Sequence, residues 1–291
     1  MSDSSEPGFP PVVLAFGAAD PSCGSGVQAD VLTLASMGCH PLSVITMLTV
    51  QDTLSVEGLL AVETEWVADQ ARCLLEDMPV DAFKVGALGS VECIAVVAEI
   101  LSDYPDVPLI LDPSLAPGRG DELASDEAIS AIGELLLPQT TILVVNGVEA
   151  RLLAESDDDE EPSVASCAAR LVETGCEYVL VTGTHEPTKE IVNTLYGKDG
   201  EVRSDSWARL PGAFHGAGGT LAAAIAAMLA NGLDMPEAVR EAQDYTFHAL
   251  QKAYRPGMGQ FLPDRLFWAR EEGESRGDAP VVQRADVRGS H

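Results

Sequence analysis

From residue 11 onward the chain alternates short β-branched runs with amphipathic stretches. That alternation constrains the fold more than any other feature, because it is the pattern of βαβ units and a largely parallel sheet. The runs Val12–Phe16, Ser43–Val50, Ala82–Val85, Leu109–Leu111, Ile142–Val145 and Tyr178–Val181 mostly lack polar alternation, as strands buried on both faces do. An α/β fold of three layers, α/β/α, is therefore expected. Helix starts are readable at Ser90 before Val91–Tyr104, Ser125 before Ala128–Leu137 and Ser163 before Val164–Thr174, each an N-cap residue ahead of helical spacing. Gly38 and Gly175 stand where C-caps belong. Two last helices are expected over Thr220–Asn231 and Pro236–Tyr254. Ile191–Tyr196 and Glu201–Ala208 flank Lys198-Asp199-Gly200 and read as a hairpin, which puts antiparallel strands at one sheet edge.

No composition break divides residues 11–270, so one domain is expected there, with 1–10 and 271–291 as flexible termini and 155–161 as an acidic exposed loop. The chain carries 46 Asp+Glu against 17 Lys+Arg, a net charge of −29. Such a surface repels phosphate backbones and anionic lipid, so neither nucleic acid nor membrane is an expected partner. No apolar run reaches the length of about 18 residues that spans a bilayer, and Met1–Pro10 lacks the features of a signal peptide. A cytoplasmic location is expected. The six cysteines form no C-x-x-C pair and are expected to be structural thiols.

Three segments can carry chemistry. The first is the turn Gly17-Ala18-Ala19-Asp20-Pro21-Ser22-Cys23-Gly24-Ser25-Gly26, which leads into a helix containing Gln28, Asp30 and Val31. Gly24-x-Gly26-x-x-Ala29 is not a dinucleotide fingerprint, because Asp20, Pro21 and Ser22 intervene between strand and glycines. The loop is either a place where a small substrate approaches backbone or a tight structural turn. The second is Phe214-His215-Gly216-Ala217-Gly218-Gly219-Thr220, running into an Ala-rich helix. Free N–H groups and the positive end of the helix dipole point to an anion site there, with phosphate the natural ligand and no P-loop lysine; a purely structural glycine cluster is the competing reading. The third is Asn146-x-x-Glu149 with Asp112, each at the end of a strand, where carboxylates can share a hard cation through water. A capping box between Asn146 and Glu149 is the competing reading.

With these residues in view the chain resembles the hydroxymethylpyrimidine/phosphomethylpyrimidine kinases of thiamin biosynthesis, members of the ribokinase-like superfamily. The resemblance spans nearly all of residues 11–250. It rests on A-F-G-A-A-D-P-S-C-G-S-G-V-Q-A-D, Ser43-Val44-Ile45-Thr46 through Gln51-Asp52-Thr53, Lys84-Val85-Gly86, Leu111-Asp112-Pro113, Asn146-x-x-Glu149 and Gly216–Gly219 with Thr220-Leu221. It implies a ribokinase-like fold, often homodimeric, and transfer of the γ-phosphoryl group of Mg·ATP to an aminopyrimidine hydroxymethyl group and then to the resulting phosphate ester. It further implies a substrate wall of Gly17, Asp20, Gln51, Ala87 and Ser114. Asn146, Thr182 and Gly183 would serve the nucleotide, Asp112 and Glu149 Mg²⁺, and Gly216, Ala217, Gly218 and Gly219 the transferring phosphoryl group.

Three departures stand out. Gly219 replaces the family's Cys or Asp base, Thr182 replaces a Lys before Gly183-Thr184-His185, and Ala87 replaces a Met. Base loss should weaken the alcohol step more than the ester step, because a phosphate monoester is already mostly dianionic at pH 7. Cys23, His215 and Asp112 are the candidates for a substitute base, and Cys23 stands where the family usually has Gly. A kinase for a related pyridoxal-like hydroxymethyl ring, or a non-catalytic pyrimidine-binding protein, are the competing functions.

Overall fold

The structure, a computed structural model, describes residues 9–115, 124–154, 162–183 and 188–270. The acidic loop 155–161, Thr184, His185, residues 1–8 of the expected N-terminal segment 1–10 and all of 271–291 lie outside the described residues.

Nine strands form one sheet in the order β3-β2-β1-β4-β5-β6-β7-β8-β9. They are β1 (Val12–Ala19), β2 (His40–Gln51), β3 (Val56–Ala61), β4 (Ala82–Val85), β5 (Leu109–Leu111), β6 (Ile142–Asn146), β7 (Tyr178–Thr182), β8 (Glu190–Gly197) and β9 (Gly200–Ala208). The six strands from β2 to β7 pair in parallel, as expected. Antiparallel pairing occurs at both edges, β2–β3 at one and β7–β8–β9 at the other, where the sequence points to only one. The missed strand, Val56-Glu57-Gly58-Leu59-Leu60-Ala61, has no buried face, and so its sequence shows no alternation.

Alternate residues of each central strand feed two separate cores. Leu14, Phe16, Phe83, Val85, Leu109, Leu111, Leu143, Val145, Val179 and Val181 pack on one face, while Val13, Ala82, Ile110, Ile142, Val144 and Leu180 pack on the other. Each buried side chain of this size contributes roughly 1.5–3 kcal/mol. The first face is covered by α2 (Thr64–Asp77), α3 (Val91–Ser102), α4 (Asp126–Ala131), α5 (Gly147–Leu153) and α6 (Val164–Glu173). The second is covered by α1 (Gly26–Ser36), α7 (Ala217–Ala230) and α8 (Met235–Gln251). The three layers are therefore α/β/α.

The expected caps form: Ser90, Ser125 and Ser163 accept hydrogen bonds from the N–H groups of Cys93, Ala128 and Ser166. Gly38 and Gly175 follow their helices at φ +82° and +122°. The run after Ser125 is not one α-helix: α4 passes into a π turn at Ile132–Leu136 and a 3₁₀ turn at Leu137–Gln139. Gly133 and the missing N–H of Pro138 weaken the regular ladder there. β1 continues three residues past Phe16, and α7 begins at Ala217 rather than Thr220, which makes the glycine cluster its first turn.

Candidate active site

The chain leaves β1 for β2 on one side and later returns to β4 on the other, so a crevice opens beyond the carboxyl ends of β1 and β4. Here Gly17 and Gly86 lie back to back: the Gly86 N–H donates to the Phe16 carbonyl at 2.8 Å, and a Cβ on Gly17 would stand 3.8 Å from the Gly86 Cα. The crevice deepens into a cavity of about 510 Å³, a size suited to small-molecule ligands.

One end of the cavity is a polar cluster. Asp20, 1% exposed, accepts hydrogen bonds from the Ser22 and Ser25 N–H groups and the Ser25 hydroxyl. His215 Nε2 lies 2.8 Å from Asp20 Oδ2, and the Gln51 amide comes within 3.1 Å of the same ring nitrogen. Burial alone would raise the Asp20 carboxyl, but the hydrogen bonds from His215, Ser22 and Ser25 outweigh it and hold the group well below the usual carboxylate range. The walls are tied by side-chain hydroxyls: Thr46 donates to the Ala87 carbonyl at 2.8 Å and Thr49 to the Ala19 carbonyl at 2.9 Å. Cys23 and Ser114 both adopt left-handed backbone, at φ +57° and +51°.

The start of α7 also lines the cavity. Gly216 caps it at φ +81°, pressed so closely on the Gly24 carbonyl that no Cβ fits. The N–H groups of Ala217, Gly218 and Gly219 belong to the first turn, where the helix ladder supplies no acceptor. A Cβ on Gly218 would meet nothing within 4 Å, and one on Gly219 would stand 3.6 Å from Asp112 Oδ2 and 3.9 Å from Asp30 Oδ1.

Beneath Gly219 lies a buried trio. Lys84 Nζ sits 3.2 Å from Asp30 Oδ2 and 3.5 Å from Asp112 Oδ2. Burial disfavours the Lys84 ammonium, but the two facing carboxylates more than offset it and raise its pKa. Burial, reinforced by the charge of Asp112, pushes Asp30 up despite Lys84.

Asn146 and Glu149 do form the capping box. The Asn146 Oδ1 accepts from the N–H groups of Val148 and Glu149, and Glu149 Oε2 accepts from the Asn146 N–H at 3.0 Å. The box leaves both residues on the cavity wall. The far wall comes from β8, β9 and α8. There the Gln243 Oε1 accepts from Asn193 and from the Trp207 indole, each at 2.9 Å, and Trp207 packs against Phe247 at 5.1 Å between centroids with the rings tilted by 39°.

Gly17, Asp20, Gln51, Ala87, Asp112, Ser114, Asn146, Glu149, Thr182 and Gly216–Gly219 thus line a single cavity. Gly183 does not line it: its N–H donates to Asn193 Oδ1 and its Cα faces the Val192 backbone. Sequence reasoning did not bring out the Lys84–Asp30 pair, although a lysine inside Ala82-Phe83-Lys84-Val85 is a legible anomaly in a buried strand. It also missed the Asn193, Trp207, Arg209 and Gln243 wall, whose residues share no local spacing.

Residues 20–264 match the phosphomethylpyrimidine kinase family model. A hydroxymethylpyrimidine/phosphomethylpyrimidine kinase of Mycobacterium tuberculosis is 37% identical over 261 residues, covering 89% of this chain and 94% of its own. A phosphomethylpyrimidine kinase structure from Clostridium difficile superposes with a TM-score of 0.71 at 28% identity, over 83% of this chain and 99% of that one. The pyridoxal kinase of Staphylococcus aureus in complex with pyridoxal superposes with a TM-score of 0.80 at 25% identity, over 90% and 96%. These neighbours share the three-layer, mostly parallel architecture of the ribokinase-like fold. With its sheet order, its glycine-led helix start and its family match over 20–264, the chain belongs to the phosphomethylpyrimidine kinase family.

Proposed function

We propose that this protein transfers the γ-phosphoryl group of ATP to 4-amino-5-hydroxymethyl-2-methylpyrimidine and to its monophosphate, with the second acceptor favoured. The observation that carries the reading is the shared cavity, which joins an Asp20–His215–Gln51 cluster to the open first turn of α7. The Gln51 amide both donates and accepts, which suits an aminopyrimidine edge. The N–H groups of Ala217–Gly219 meet the transferring phosphoryl oxygens, and the acceptor oxygen bonds to the γ-phosphorus as the bond to the ADP oxygen breaks. A hydroxyl acceptor must shed a proton in that step, and Gly219 offers no group to take it. A phosphate acceptor has no such need.

Asp112, just past β5, and Glu149, in the first turn of α5, are hard oxygen donors that line the cavity and would hold Mg²⁺ through water. When bound with ATP, Mg²⁺ neutralises charge on the β- and γ-phosphate oxygens. The Asn193–Trp207–Gln243–Phe247 wall suits the nucleoside. Leu48, Val50, Leu59, Leu60 and Trp66 are exposed around the β2–β3 edge, which supports a homodimer through that face. No helix among the described residues is long and apolar enough to cross a membrane.

Mg·ATP-dependent ADP release with each acceptor tests the reading. Turnover of the monophosphate is expected, and no turnover of either acceptor by the protein or by Gly219→Cys overturns it. A second reading, a pyridoxal-like acceptor, is favoured by the likeness to the pyridoxal kinase and by the small Ala87. Competition between pyridoxal and the pyrimidine for one site separates the two.

A further inference from the structure

Arg265 lies one residue past the matched family span, does not line the cavity and is only 4% exposed. All three arms of its guanidinium are engaged: Nε donates to Thr220 Oγ1 at 3.1 Å, Nη1 to the Cys23 carbonyl at 3.2 Å and Nη2 to the Gly24 carbonyl at 2.6 Å. Its own carbonyl accepts from the Ser36 hydroxyl and the Tyr245 hydroxyl at 2.6 and 2.7 Å. The residue is therefore held from both ends. Yet every one of its acceptors is neutral, and among the described residues no carboxylate forms an ion pair with it.

A buried cation without an anionic partner is costly, by several kcal/mol even after relaxation. Carbonyl dipoles offset part of that cost, and Asp30 and Asp20 act on it only at longer range. Its position indicates what offsets the rest. Nη2 lies 3.1 Å from the point a Gly216 Cβ would occupy, and Nε touches Thr220, so the charge stands directly behind the turn Gly216–Thr220. The same fork grips Cys23 and Gly24 on the acceptor side.

We propose that Arg265 is a positioning residue for phosphoryl transfer. It clamps the acceptor loop at Cys23–Gly24 to the phosphate loop at Gly216–Thr220 and places a fixed positive charge behind the N-terminus of α7. The proposal rests on the reading of that helix start as the phosphate site. Because Arg265 acts on the donor and on the spacing of the two loops, its loss lowers transfer to the alcohol and to the ester by the same factor. Base loss at Gly219, by contrast, separates them.

The test is steady-state kinetics of the full chain and of Arg265→Met, Arg265→Lys and Gly218→Asp, normalised to folded protein, with thermal unfolding alongside. Arg265→Met should lose about 10²-fold in kcat with both acceptors, as misplacement of about 1 Å does, and raise both the ATP KM and the acceptor KM. Arg265→Lys keeps the charge but not the fork, so it should recover the ATP KM while the acceptor KM stays high. A purely structural residue would lower the melting temperature and leave kcat per folded molecule and both KM values unchanged, and that result overturns the proposal. Should the Met variant not fold, Arg265→Lys decides alone, and an unchanged acceptor KM overturns the clamp. Gly218→Asp puts a negative charge into open space at a helix position that favours Asp, and it should raise the ATP KM at least tenfold. If it does not, the phosphate site is misread. If it does while both Arg265 variants match the parent, the clamp alone is wrong.

Discussion

Replacing Gly219 by Cys and by Ala separates the two acceptors on physical grounds. Gly219 is the third residue of α7, and a Cβ there would make ordinary contacts of 3.6 Å and 3.9 Å with Asp112 Oδ2 and Asp30 Oδ1. The Ala methyl and the Cβ of Cys therefore fit without displacement. Ala restores no proton acceptor and gains about 0.5–1 kcal/mol of helix stability, which is on the order of 2 °C in melting temperature for a chain of this size. Cys adds a thiol in the first helical turn, where the dipole favours the thiolate and the Asp112 charge opposes it. A positioned base is worth roughly 10²–10⁴-fold, or about 3–5 kcal/mol of barrier. Gly219→Cys should therefore raise kcat/KM for the alcohol by about 10²-fold or more. The monophosphate, with a second pKa of about 6, is roughly nine-tenths dianionic at pH 7 and should change by less than about 3-fold. ADP release at pH 7, measured with both acceptors for the parent, Gly219→Ala and Gly219→Cys, reads the difference. Equal parent rates on the two acceptors, or an equal gain for both in the Cys variant, refutes the reasoning.

Three further outcomes are expected. The Asp20 carboxyl is held below its unfolded value of 3.8, so its contribution is complete above that pH and fades as pH falls below it. Asp20→Asn should then cost about 1.5–3 kcal/mol at pH 7, and the gap to the parent should close below pH 3.8, as measured by denaturant unfolding. Cys23→Gly relieves a left-handed backbone at φ +57° and should stabilise the fold by up to about 1 kcal/mol, net of the extra freedom of glycine when unfolded. Ala224 is fully buried in α7, and Ala224→Leu should destabilise by about 1–3 kcal/mol, seen as a lower thermal midpoint.

The amino-acid sequence by itself determined the layered architecture, the parallel strands, the serine caps and the glycine-led helix start, because each depends on spacing within about ten residues. Even there the local signal had limits: β3, with no buried residue, left no alternation to read, and Gly133 with Pro138 broke a helix whose start was correctly marked. Only the tertiary structure decided that Lys84 would meet Asp30 and Asp112 beneath Gly219, and that Trp207 and Gln243 would close the far wall. It alone brought Arg265 back to Cys23, Gly24 and Thr220. Periodicity and caps are local properties of the backbone, whereas a buried charge finds its partners across the strand order, and the strand order is settled only when the whole sheet assembles.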